Sequence, residues 1–293
     1  MNYEEFICRI RAEVKEKMGE KAQVERRRIT KNNGVELEGI TITEEGQKIS
    51  PMVYLDEYYH IYEKGVPLPE ITEDILRIYE QSRKSIPETP EFYTDYKKVK
   101  ARLACKLVNY EKNKKQLSRV PYIRCLDLAL VFYYAMEEKD IGRGTILIYN
   151  SHLDLWGITK EQLYEMARKN TPRLLPYEFK EMRELLAESF EDDGEVIDEE
   201  LPMYVLSNRD HQFGSVNMIY DSVLSEVGKR IGDDFYILPS SIHECIIIPV
   251  KTRATREELK NMVWDINRTQ VLPEEVLSDN VYFYDRENHR LSL

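Results

Sequence analysis

Apolar residues recur along this chain at two periods, and the changes of period mark its elements. Phe6, Ile10, Val14 and Met18 stand at helical spacing behind Asn2, with Glu5 three positions on, so the pattern predicts a capped helix over 2–18. Ala22–Thr30 and Val35–Thr43 flank Lys31-Asn32-Asn33-Gly34, and Asn-Gly supplies the positive φ angles of a tight hairpin turn. Pro51–Lys64, with Tyr54, Tyr58, Tyr59 and Tyr62, predicts a helix, and Thr72 is read as the cap of another carrying Ile75, Ile78 and Tyr79. Glu91–Asn109 begins as a basic amphipathic helix, and its periodicity leaves open whether Leu103–Asn109 continues it or becomes strand. Leu126–Met136 and Thr145–Tyr149 are apolar runs of the kind that form central strands covered on both faces. Gly157 is read as the end of that strand region. Thr159 and Gln162 open a helix that Pro172 and Pro176 end, and Glu178–Ser189 is read as helix again.

The last third is more regular. Met203–Ser207 predicts a strand, and Gly214-Ser215 leads into a helix through Ile231. Phe235–Leu238 and Cys245–Val250 then flank the turn Pro239-Ser240-Ser241 as two strands. Thr255 and Glu258 box the start of a helix, and Val281–Tyr284 is a short strand. This order predicts an α+β fold with a mixed, largely antiparallel sheet flanked by helices, preceded by an N-terminal helix and β-hairpin. Residues 188–200 hold eight acids and no base, which marks them as a linker or exposed loop. The expected division is therefore 1–187, the acidic segment 188–200, and 201–293, or one continuous domain.

Composition narrows the function. Charged residues make up 32% and hydrophobic ones 42%, a balance that suits much exposed helix. The 20 tyrosines suit half-buried surfaces and interfaces. A net charge of −11 disfavours general nucleic-acid binding, although Arg26-Arg27-Arg28 and Lys112–Lys115 are locally basic. Cys8, Cys105, Cys125 and Cys245 form no CxxC pair and are read as small buried hydrophobes. No signal peptide and no apolar run near the roughly 20 residues of a membrane span is present, so the expected compartment is the cytoplasm.

The candidate polar residues gather at predicted strand ends: Asn208, Arg209, Asp210, His211, Ser240, Ser241, His243 and Glu244. A serine beside His243 and Glu244 has the residue types of a hydrolase, but neither GxSxG nor SxxK occurs. His152 and Asp154, two apart on a strand, would share a face and with His211 and His243 offer nitrogen and oxygen ligands to zinc or iron. Strand-end loops equally suit a polar binding cleft without catalysis, and the amides at Gly214-Ser215 suit an anion. Weighed together, these features favour a non-catalytic binding or protein-interaction module whose partner is another protein. A metal-dependent or serine/histidine hydrolase centred on residues 239–244 is the alternative. No cofactor is specified.

The residues Leu206-Ser207-Asn208, Gly214, Tyr220, Leu224, Phe235–Ser241, His243-Glu244 and Pro249 carry a resemblance to a family. So do Lys31–Gly34, Tyr54–Tyr59, Leu107–Asn109, Trp156–Thr159 and Asn170–Arg173 further upstream. On these the chain resembles a bacterial family known as domain of unknown function 5688, common in anaerobic Firmicutes. The resemblance spans nearly the whole chain. It implies one shared architecture and supplies no mechanism.

Overall fold

The Asn2 side chain accepts the Glu5 amide (2.9 Å) and the Glu5 carboxylate accepts the Asn2 amide (3.0 Å), so helix α1 (Tyr3–Met18) begins at its capping box. The structure, a computed structural model, describes residues 1–20, 22–47, 50–84, 91–136, 144–189, 202–239 and 241–293. The chain packs as two units, Met1–Val99 with Met136–Thr145, and Lys100–Ala135 with Ile146–Leu293. Among the described residues no helix is long and apolar enough to cross a membrane.

In the first unit α1 leads to three antiparallel strands in order, β1 (Ala22–Thr30), β2 (Glu36–Glu44) and β3 (Met52–Tyr54). Asn33 and Gly34 take φ of 59° and 73° in the β1–β2 turn, as the Asn-Gly pair requires. Helices α2 (Asp56–Glu63), α3 (Leu68–Lys84), α4 (Glu91–Thr94) and α5 (Tyr96–Val99) follow. Phe6, Ile10 and Val14 of α1 pack with Ile40, Ile42 and Val53 of the sheet and with Ile71, Ile75 and Tyr79 of α3. Two expectations are corrected here. Met52–Tyr54 are strand because Val53 pairs with Ile40, so the helix starts only at Asp56. Thr72 is no cap: α3 starts at Leu68, with Pro69 in the first turn where it forfeits no bond, and buried Thr72 donates to Glu13 (3.1 Å).

The basic run on β1 is neutralised in place. Arg26 grips Glu4 with both terminal nitrogens (2.5 and 2.8 Å) and also takes Glu38. Arg28 shares Glu38 (2.6 Å), and Arg27 pairs with Glu25. Bonds from Arg26 and then Arg28 hold the Glu38 carboxyl below the usual carboxylate range.

The second unit contains two sheets. One is β4 (Leu103–Asn109), β5 (Tyr122–Cys125), β6 (Leu128–Ala135) and β7 (Thr145–Leu147), in the order β4-β6-β5 with β7 also beside β6. The other is built from β8 (Tyr177–Glu181), β9 (Tyr204–Asn208), β10 (Phe235–Leu238), β11 (Cys245–Pro249), β12 (Tyr282–Asp285) and β13 (Arg290–Ser292). Its order is β13-β12-β10-β11-β9-β8, every neighbour antiparallel. The helices are α6 (Lys114–Leu117), α7 (Asn150–Trp156), α8 (Lys160–Leu174), α9 (Met182–Ser189), α10 (Asp221–Ile231) and α11 (Arg256–Thr269). One face of the six-stranded sheet, through Leu238, Ile246 and Ile248, packs on Leu259 and Val263 of α11. The other face brings Cys245 against Ser215 and Met218, and Phe235 against Gly228 of α10. Covered on both sides, β11 is buried throughout, which is why CIIIP reads as an unbroken apolar run. Arg230 of α10 donates to the Phe179 carbonyl (2.9 Å) on edge strand β8, and so blocks a group that an incoming strand would use.

Several boundaries differ from the sequence reading. Leu126-Asp127 form the turn between β5 and β6, with Leu126 at φ 56° and its side chain exposed, so the apolar run splits there. His152 and Asp154 lie on α7, and Gly157 ends that helix in the left-handed conformation, not a strand. Tyr177–Glu181 pair with β9, so the expected helix starts only at Met182. Gly214–Ile219 form a buried 3₁₀ turn, and α10 starts at Asp221. Pro172 does not end α8. Its missing amide would have served the Arg168 carbonyl, and the Tyr220 hydroxyl donates there instead (3.2 Å). Of the cysteines, Cys105 and Cys245 are buried, whereas Cys8 is exposed and Cys125 half-buried.

Several tyrosines are held protonated by their surroundings. Burial, then Asp127, pushes Tyr282 far up; burial likewise raises Tyr220, and burial with Glu226 lifts Tyr177 to about 12. A raised folded value means that this stability is fully present below about pH 10, where unfolded tyrosine ionises, and is lost as pH climbs toward the folded values. Phenolate absorbance should therefore rise in two stages, the second coinciding with loss of circular dichroism. A single stage near pH 10 with the fold intact would contradict this.

Candidate functional site

Strand β9 ends on Asn208, which is fully buried. Its Oδ1 accepts the amides of Asp210 and Gln212 (3.1 and 3.2 Å), and its Nδ2 donates to the Gln212 carbonyl (2.8 Å). These bonds fold residues 209–213 into a tight loop, with His211 and Phe213 at φ of 49° and 55°. Left-handed backbone costs a non-glycine residue about 1–2 kcal/mol, so the network must offset that strain twice.

The Phe213 amide donates to His243 Nδ1 (3.3 Å), and the two rings stack with centroids 5.6 Å apart and planes at 16°. Lys106 Nζ lies 4.0 Å from the centroid of the same phenyl ring, and Tyr133 meets it edge-on at 5.3 Å. Because Nδ1 accepts, the neutral imidazole carries its proton on Nε2, which faces Glu275 Oε1 at 3.3 Å. Ser241 Oγ accepts the amides of His243 and Glu244 (2.9 and 3.3 Å), turning the chain into β11. Ser207 Oγ donates to the His243 carbonyl (2.8 Å), Ser215 Oγ to that of Ile242 (2.7 Å), and Asn217 to those of Ser207 and Gly214 (both 2.9 Å).

The structure thus brings Asn208, Ser241 and His243 into one network and leaves Arg209, Asp210 and His211 exposed on the loop that it braces. Glu244 is half-buried at the start of β11, and Ser240 lies outside the described residues. His211 faces Glu178 at 3.8 Å. Arg209, Tyr177, Glu178, Glu226 and Arg230 line a cleft of about 250 Å³ beside that loop. His152 is not part of this arrangement: its Nδ1 accepts the Tyr149 amide (2.9 Å), its ring stacks on Trp156, and burial lowers its pKa. On helix α7 His152 and Asp154 do not share a face, as they would on the expected strand. Among the described residues no group of three or more His, Cys, Asp or Glu is placed to hold a metal ion.

Sequence reasoning missed Phe213, Asn217, Lys106 and Glu275. Gly214 was legible as a helix opening with amides for an anion, but the structure makes it the start of a buried 3₁₀ turn packed on residues distant in the chain. A Cβ there would come within 2.4 Å of Ser207 Oγ, 2.5 Å of the His243 carbonyl and 2.8 Å of the Asn208 amide.

Chemically, the hydroxyls of Ser207, Ser215 and Ser241 are engaged with backbone groups, and among the described residues neither nitrogen of His243 points at a serine. What remains on the outside is a rigid loop carrying a guanidinium, a carboxylate and an imidazole. An α+β protein with a braced surface loop is what the fold and the site define. The chain belongs to the family of unknown function DUF5688, whose model matches residues 3–286. No curated protein and no solved structure matches it.

Proposed function

We propose that this chain is a cytoplasmic bacterial binding module that engages another protein through the Arg209–His211 loop, without catalysis of its own. The observation that carries this reading is the use of His243. Its Nδ1 holds the Phe213 amide and its Nε2 faces Glu275, so the imidazole braces the loop and does not act as a base. Preorganisation favours binding, since a loop already fixed has little entropy left to lose. The alternative, a hydrolase, has the Glu275–His243 pair in its favour, yet the nitrogen that would take a proton is the one engaged by the amide.

The test places a photo-crosslinking residue at His211 in the native host. A discrete protein adduct that disappears with Arg209→Glu is the expected result. No adduct, together with an esterase or phosphatase activity abolished by His243→Ala, would turn the assignment to the hydrolase.

A further inference from the structure

Two basic runs stand in this acidic chain, and the structure treats them differently. On β1 each arginine is paired with at least one carboxylate. Between Tyr110 and Arg124, in the second unit, Lys112, Lys114, Lys115, Arg119 and Arg124 share a single acid, Glu111, and it pairs with Lys114 (2.6 Å). The side chains of Lys112, Lys115 and Arg119 are exposed and make no ion pair among the described residues. Like charges gathered without partners repel one another, and a surface that served only solubility would intersperse them with acids.

The backbone beneath them is fixed. Asn109 accepts the Lys112 amide (2.9 Å) and anchors itself on the Leu277 carbonyl (3.0 Å). Buried Asn113 donates to the Asn109 carbonyl (2.8 Å), and Leu117 and Val120 sink into a cluster with Val108, Ala129 and Val131. The Arg119 carbonyl accepts the Asn150 amide (3.0 Å). The cations therefore project from a rigid turn, so little backbone order remains to be lost on binding.

We infer that this patch is a docking surface for a short acidic segment, rich in aspartate and glutamate, of a partner protein. The inference rests on the reading of the chain as a protein-binding module and names the partner's chemistry. A nucleic acid fits less well. The Tyr110 ring, the natural stacking platform, is already covered by Arg124 at 4.2 Å, with Lys114 at 5.8 Å. Outside the patch the chain carries all of its net charge of −11 and more, which repels a long polyphosphate but spares a short peptide that covers only the patch.

The probe is fluorescein-labelled decaglutamate, read by anisotropy on the full chain at about 50 and about 150 mM salt. Binding should weaken with salt, and should weaken at least about tenfold in the Lys112→Glu/Lys115→Glu/Arg119→Glu variant. A charge-matched control, Lys160→Glu/Lys169→Glu/Lys260→Glu, should bind as the parent does, with unchanged melting for both variants by circular dichroism. No binding, equal losses in the two variants, or tighter binding of a single-stranded oligonucleotide of equal charge would each overturn the inference. A crosslinker at Ser118 separates the two readings. Adducts at His211 but none at Ser118 would sink the patch and leave the binding module standing.

Discussion

Gly214→Ala is expected to destabilise the second unit by about 2–4 kcal/mol, seen as a lower urea midpoint at unchanged slope. The cause is steric. Two of the three atoms that the new methyl would meet, the His243 carbonyl and the Asn208 amide, belong to the backbone and cannot rotate away. Ser207→Ala in the same chain removes only the third and should rescue a small part. A midpoint within error of the parent would show that the 207–217 loop is softer than its hydrogen bonds indicate. Loss of function should accompany loss of stability, because the atoms that crowd Gly214 belong to the network that fixes Arg209–His211.

Asp127→Ala is expected to cost about 3 kcal/mol. Asp127 sits in the β5–β6 turn and accepts from Ser278 Oγ (2.7 Å), Asn280 Nδ2 (3.0 Å) and the Tyr282 hydroxyl. Ser278 and Tyr282 are buried, and a buried donor left without an acceptor costs about 1–3 kcal/mol. Removing donor and acceptor together is cheaper. The double variant Asp127→Ala/Tyr282→Phe should therefore be less destabilised than the sum of the two single changes, by at least about 1 kcal/mol. Simple additivity in urea unfolding would mean that the carboxylate does not organise these donors.

What the sequence disclosed was whatever four neighbouring residues decide among themselves. The boxes at Asn2/Glu5, Thr159/Gln162 and Thr255/Glu258 all close as their spacing predicts, and Asn33-Gly34 turns the first hairpin. The strand pair around residues 239–244 was equally legible, because CIIIP and FYIL have no alternative to burial. Short elements were not. MVY and YEFKE become strands only because Ile40 and Leu206 wait beside them, and a local pattern cannot report a partner that is far away along the chain. The same limit hid the meaning of the candidate residues. Asn208, Ser241 and His243 could be picked out, but their role depends on Phe213, Glu275 and the absence of a side chain at 214, all brought in by the fold.

Tyr220 completes the Pro172-interrupted ladder of α8 from 52 positions further along the chain. During synthesis, at about 5–20 residues per second, the end of α8 therefore waits some 3–10 s for its missing hydrogen-bond donor to be made. Until then the Arg168 carbonyl must rely on water, and the sheet strand β4 that packs on α8 has only an unfinished surface to dock against. The nascent second unit thus keeps that surface unfinished for seconds, and a ribosome pausing between residues 172 and 220 would lengthen the exposure.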